Sequence, residues 1–141
     1  MREILFRAWD KVSKKYREFD GMHDTITINK DGKVEYYNLQ NGSGGDDILE
    51  QFTGLHDKNG KMIFEGDIFT SDYFKDGLEF EVVFSDGAFC GESNRTGLFP
   101  LGFTNDYYET GDESDDFYYA EDYTSHIQII GNIHDNPELL T

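Results

Sequence analysis

With 141 residues the chain is long enough to bury a core as one compact domain, and its single cysteine, Cys90, excludes an intrachain disulfide. A hydrophobic fraction of 37% with 16% aromatics excludes wholesale disorder, and a net charge of −17 disfavours direct binding to nucleic-acid phosphates, which depends on cationic contacts. No apolar run reaches the roughly 20 residues that a membrane helix requires, so no membrane role is expected.

The first predicted element is a hairpin. Glu3 to Trp9 and Lys14 to Phe19 read as strands around Asp10-Lys11-Val12-Ser13, and this charged, strand-like start is unlike a signal peptide. The expected location is the cytoplasm, where the sequons at Asn41 and Asn94 would carry no sugar. A second hairpin follows. Thr25-Ile26-Thr27-Ile28 alternates with period two, Asp31-Gly32 supplies the turn, and Val34 to Leu39 returns.

Asn41 to Asp47 is polar and glycine-rich and marks an internal boundary. Its glycines resemble a phosphate-binding loop only superficially, since no buried strand precedes them. Helix is expected to be scarce, a turn or two near Asp46 to Gln51 at most. Beyond it, Asn59-Gly60, Asp76-Gly77 and Asp86-Gly87 signal further hairpins, and His126 to Ile133 reads as a last strand closed by Asp135-Asn136-Pro137. The class is therefore mainly β: a hairpin-rich N-terminal part, residues 1–43, packed on a small curved sheet or SH3-like barrel, residues 44–141, the two forming one structural unit.

Charge is segregated along the chain. Residues 1–17 hold six of the twelve Lys and Arg against Glu3 and Asp10, a local +4, which leaves −21 for the remainder. No cation follows Arg95, and the densest acidic stretch, Asn105 to Asp122, interleaves carboxylates with Tyr107, Tyr108, Phe117, Tyr118 and Tyr119. A basic partner or self-association through the basic start suits this pattern.

Catalytic and metal chemistry find little support in the residues. His126 and His134 are eight apart, roughly 26 Å along an extended strand, too far for one ion. The Asp112 to Asp116 run lacks the glycine and terminal glutamate of a calcium loop. There is no Gly-x-Ser-x-Gly elbow, and Cys90 in an apolar run reads as a buried filler. In Asp57-Lys58-Asn59-Gly60-Lys61, Asn and Gly suit a tight turn, and in Glu65-Gly66-Asp67 the glycine allows close backbone approach while Asp67 can accept from turn amides. Arg7 and Trp9 share one strand face and can form a cation–π pair or a binding patch. Arg7, Trp9, Asp67, Tyr107, Tyr108, Asp115, Asp116 and Tyr118 are the candidate interaction surface, and no catalytic, cofactor or metal residue is nominated.

Three ordered blocks carry a family resemblance. Ile4-Leu5-Phe6-Arg7-Ala8-Trp9-Asp10 at the start, Gln51 to Lys61 running into Ile63-Phe64-Glu65-Gly66-Asp67-Ile68, and Ile130 to Leu140 at the end resemble the YopX family of phage and prophage proteins. The resemblance implies a small accessory protein of phages or prophages of Gram-positive bacteria, with no activity to carry over. The acidic insert at 104–122 departs most from the family pattern. The expected role is a non-enzymatic binding or assembly module, a homo-oligomer that engages a host or phage protein. The alternatives are an acidic decoy for a nucleic-acid-binding protein, and an enzyme whose site assembles from distant residues such as Asp67, a histidine and Arg7 or Arg95.

Overall fold

The computed structural model describes residues 3–19, 21–40, 42, 44–72, 77–93, 97–101 and 123–140. Strands dominate these residues, and helix is confined to 3₁₀ turns at Tyr123–His126 and Pro137–Leu140. The architecture includes a strongly curled, half-barrel sheet, in line with the mainly β class and small curved sheet expected. The chain divides into two compact units, Glu3–Phe52 and Thr53–Thr141.

In the first unit, β1 (Phe6–Asp10) pairs antiparallel with the short β2 (Lys15–Tyr16), Trp9 opposite Tyr16. Asp10 builds the turn between them. Its Oδ1 accepts the Val12 N–H at 2.9 Å and its Oδ2 the Ser13 hydroxyl at 2.8 Å, while Lys14 takes the left-handed conformation at φ 58°. The second hairpin joins β3 (Asp24–Ile28) to β4 (Val34–Asn38) in the register Asp24↔Asn38 to Ile28↔Val34.

β5 (Ile48–His56) runs across the division between the units, and its first half pairs with β1, Arg7 opposite Glu50. Of the stretch Asp46 to Gln51, where at most a helical turn or two was expected, Ile48 to Gln51 is therefore strand. Glu50 and Phe52 are buried with period two, and β1 offers an antiparallel partner whose hydrogen bonds outweigh the weak local helix preference.

The second unit holds the main core. β6 (Met62–Phe64) follows β5, and β7 (Asp67–Ser71), β8 (Glu79–Ser85), β9 (Ala88–Ser93), β10 (Gly97–Pro100) and β11 (Ile127–Asn132) form a five-stranded sheet of order β10-β9-β8-β7-β11. Ile63, Phe69, Leu78, Phe80, Val82, Leu101 and Ile127 are packed together, with the Phe69 and Phe80 rings stacked at 5.3 Å. The β8–β9 hairpin closes through Asp86 and Gly87, both at positive φ (53° and 82°), the two-residue geometry that an Asp-Gly pair favours. Cys90 is buried, as its apolar setting suggested.

Two hairpins in different units use one device. Asn29 opens the β3–β4 turn by accepting the Asp31 and Lys33 N–H groups at its Oδ1, both at 2.9 Å. Asp57 does the same for Asn59 and Lys61. In each, the glycine fourth in the turn, Gly32 or Gly60, supplies φ 83°. Asp57 does more, since its Oδ2 also accepts the Ile129 N–H of β11 at 3.1 Å, tying a local turn to a strand 72 residues away.

Candidate functional site

The polar network of the first unit is built on β1. Side chains two apart on a strand share a face, so Arg7 and Trp9 meet what the register places opposite them, Glu50 and Tyr16. The Trp9 ring contacts Tyr16 edge-on at 5.0 Å, and the Arg7 guanidinium lies 4.4 Å over the centre of the same Tyr16 ring. Glu50 is buried and accepts from Arg7 Nε at 2.8 Å and from the Tyr16 hydroxyl at 2.7 Å through a single oxygen. Tyr16 thus bridges the two nominated residues.

A second string begins at Arg17. Its Nε and one terminal nitrogen donate to the two Asp47 oxygens at 2.6 and 3.1 Å, a bidentate pair, and Asp10 lies 3.5 Å away. The guanidinium faces the Tyr36 ring at 5.3 Å, and Tyr36 stacks on Phe19 at 5.2 Å. The Tyr36 hydroxyl donates to Asp24 Oδ1 at 2.5 Å, where Asn38 Nδ2 also donates at 3.2 Å. Gly44 makes the close packing possible, for at φ 119° any Cβ would lie 2.5 Å from the Tyr36 ring.

Beside this string opens a recess of about 290 Å³, lined by Asp10, Lys15, Tyr16, Arg17, Tyr36 and Asn38 among others. Three of the groups around it, Asp10, Arg17 and Tyr36, are held away from their ordinary values. The Ser13 hydroxyl and Val12 amide hold the Asp10 carboxyl below the ordinary range, Asp47 raises Arg17 further, and burial followed by the Asp24 hydrogen bond pushes the Tyr36 phenol up. Each shift moves away from neutral pH, so none of these three is poised as a general acid or base. Cys90 is likewise pushed up by burial and by Asp86, which keeps it a thiol.

Of the other nominated residues, Asp67 belongs to the second unit, is buried at 2% exposure and accepts the Phe64 N–H at 2.8 Å, closing the Glu65-Gly66 turn. Gly66 there takes φ 83°, its N–H donating to Val82 O and its carbonyl accepting from Ile133 N, both at 2.9 Å. Tyr107, Tyr108, Asp115, Asp116 and Tyr118 lie outside the described residues, as do Arg95 and the acidic stretch at 105–122. Among the described residues, no group of three or more His, Cys, Asp or Glu side chains could hold a metal ion, and no helix is long and apolar enough to cross a membrane. Sequence reasoning missed Tyr16, Arg17, Tyr36, Asp47 and Glu50. Tyr16 was within reach, because a hairpin through Asp10 to Lys15 sets it opposite Trp9, whereas Glu50 is 43 residues from Arg7 and leaves no local signal.

Two compact β-rich units, the first organised by an ionic and aromatic network around β1, define an all-β protein. The family model described as YopX protein matches residues 5–141, and the chain belongs to the YopX family. It is similar over the whole of both chains to the crystal structure of EF1440 from Enterococcus faecalis (28% identity, TM-score 0.52). It is also similar, again over the whole of both chains, to that of yopX from Bacillus subtilis (24% identity, TM-score 0.58), a likeness of fold. A search of curated protein sequences finds no match.

Proposed function

We propose that this chain is a phage- or prophage-encoded accessory protein that acts by binding other proteins and copies of itself, without catalysis. The observation that carries the reading is the placement of exposed apolar side chains. Of the six large apolar side chains more than half exposed among the described residues, five, Ile4, Val12, Met22, Ile28 and Leu39, lie in Glu3–Phe52, and the sixth, Phe84, lies in the second unit. Ile26 and Ile28 add a shared strand face, and apolar groups held together in water are characteristic of interaction surfaces. The phage setting rests on the family resemblance.

Sedimentation velocity across the micromolar range, with a pull-down of the tagged protein from a Gram-positive host lysate washed at low and then high salt, tests the reading. A species larger than the monomer, or a stoichiometric protein partner that survives the high-salt wash and is lost on Ile28→Asp, is the expected result. A monomer at every concentration with no stoichiometric partner overturns it.

A further inference from the structure

Among the described residues β3 and β4 are the whole of their sheet, so each has one edge that pairs with no described strand. A two-stranded sheet is marginal by itself, and an open edge invites another strand unless charge, proline or a bulge blocks it. Between Asp24 and Lys30 the β3 edge has none of these devices. From Thr25 to Asn29 it carries no charged residue, no proline and no glycine, and its register against β4 is continuous.

The ladder shows which groups face outward. The Asn29 N–H donates to Lys33 O at 2.9 Å and the Leu39 N–H to His23 O at 2.7 Å, so odd-numbered residues of this strand bond to β4. By the alternation of an antiparallel ladder, the backbone groups of Asp24, Ile26 and Ile28 point to the open edge. Ile26 and Ile28 are exposed, on the face of the hairpin whose base is anchored by Tyr36.

The strand is also complementary to itself. About Thr27, Ile26 mirrors Ile28, Thr25 mirrors Asn29, and Asp24 mirrors Lys30, a carboxylate opposite an ammonium. Lys30 is exposed, and the Asp24 carboxylate, which already accepts from the Tyr36 hydroxyl, Asn38 Nδ2 and the Gly21 N–H, is held in place at the other end of the strand. We infer that two copies of this chain pair antiparallel through the open edge of β3, with a twofold axis at Thr27, Ile26 of one copy opposite Ile28 of the other, and Asp24 opposite Lys30. The outward-facing residues Ile26 and Ile28 then form the hydrogen-bonded pairs that their parity requires, and the hairpin becomes the centre of a four-stranded sheet. The uncharged middle of the strand lets two strongly acidic chains meet where neither carries net charge. This inference rests on the self-association part of the proposed function.

The test places a thiol on the axis. In the non-hydrogen-bonded pair at the twofold, the two Thr27 Cα atoms come within about 4.5 Å, inside the range a disulfide spans. The two Thr25 positions are separated by roughly 14 Å along the strands. Under mild oxidation Thr27→Cys is expected to give a covalent dimer and Thr25→Cys a monomer, with Cys90 buried and silent in both. Ile26→Lys, which strikes two symmetric pairs at once, is expected to raise the dimer dissociation constant roughly tenfold in sedimentation equilibrium. Far-UV circular dichroism matching the unsubstituted chain confirms that each variant folds. If the unsubstituted protein self-associates but Thr27→Cys does not cross-link, or Thr25→Cys cross-links as readily, this interface is wrong while the assembly reading stands. If the protein is monomeric throughout and neither variant cross-links, self-association itself is wrong.

Discussion

Asp57 offers the sharpest test of how the second unit is held together. Its carboxylate is 6% exposed and accepts three backbone N–H groups, from Asn59 and Lys61 at 2.9 Å within its own turn and from Ile129 at 3.1 Å on β11. A hydrogen bond to a charged group contributes about 1.5–3 kcal/mol, but the two turn amides can recover water when the side chain is removed, so Asp57→Ala should cost about 3 kcal/mol. For a domain of this size that lowers the melting temperature by roughly 12–24 °C. Asp57→Asn keeps an oxygen for the turn and loses the charge, at a cost of about 1–2 kcal/mol. Burial by itself pushes the Asp57 carboxyl up, yet the Ile129, Lys61 and Asn59 amides together outweigh it and hold it below the ordinary value. A carboxyl depressed on folding stabilises fully above its unfolded range, and that contribution is lost as the pH falls through the folded value. Urea unfolding should therefore show a constant gap between the unsubstituted protein and Asp57→Asn from pH 7 to about pH 5, narrowing below about pH 4. A cost under about 1 kcal/mol for Asp57→Ala, or a gap that does not change between pH 7 and pH 3, refutes the reasoning.

Gly44→Ala should destabilise the first unit by about 2 kcal/mol or more, because φ 119° strains an alanine whose Cβ meets the Tyr36 ring; an unchanged urea midpoint would count against the packing described. Tyr36→Phe should cost about 1–2 kcal/mol by leaving Asp24 short of one donor, and in an alkaline spectrophotometric titration it should abolish a tyrosine that ionises later than the free side chain. Because that phenol is raised on folding, its contribution to stability is present below about pH 10 and lost as the pH climbs through the folded value. Asp86→Asn should be nearly neutral, whereas Asp86→Val, a β-branched residue at φ 53°, should cost about 1–2 kcal/mol in the same unfolding assay.

The turns were the most legible part of this protein. Asp31-Gly32 and Asp86-Gly87 announced hairpins because a short reversal needs positive φ, and few residue types accept it. The alternation of Thr25 to Ile28 and the last strand after His126 were equally readable from residues adjacent in sequence. Ile48 to Gln51 was misread because its local propensity is indifferent between helix and strand, and β1 settles the matter from more than forty residues away.

The candidate site divides along the same line. The sequence by itself determined that Arg7 and Trp9 share a face, that Asp31-Gly32 and Asn59-Gly60 mark turns, and that three ordered blocks resemble the YopX family, each a matter of residue type and short spacing. Only the tertiary structure decided that Glu50 receives Arg7 and Tyr16, that Arg17 joins Asp47 to the Tyr36 ring, and that Asp57 reaches Ile129. The physical reason is register. Turn chemistry is set by the φ and hydrogen-bonding options of four or five adjacent residues, whereas the partner of a strand residue depends on which distant strand pairs with it and at what offset, and one residue of slip would turn every side chain to the other face.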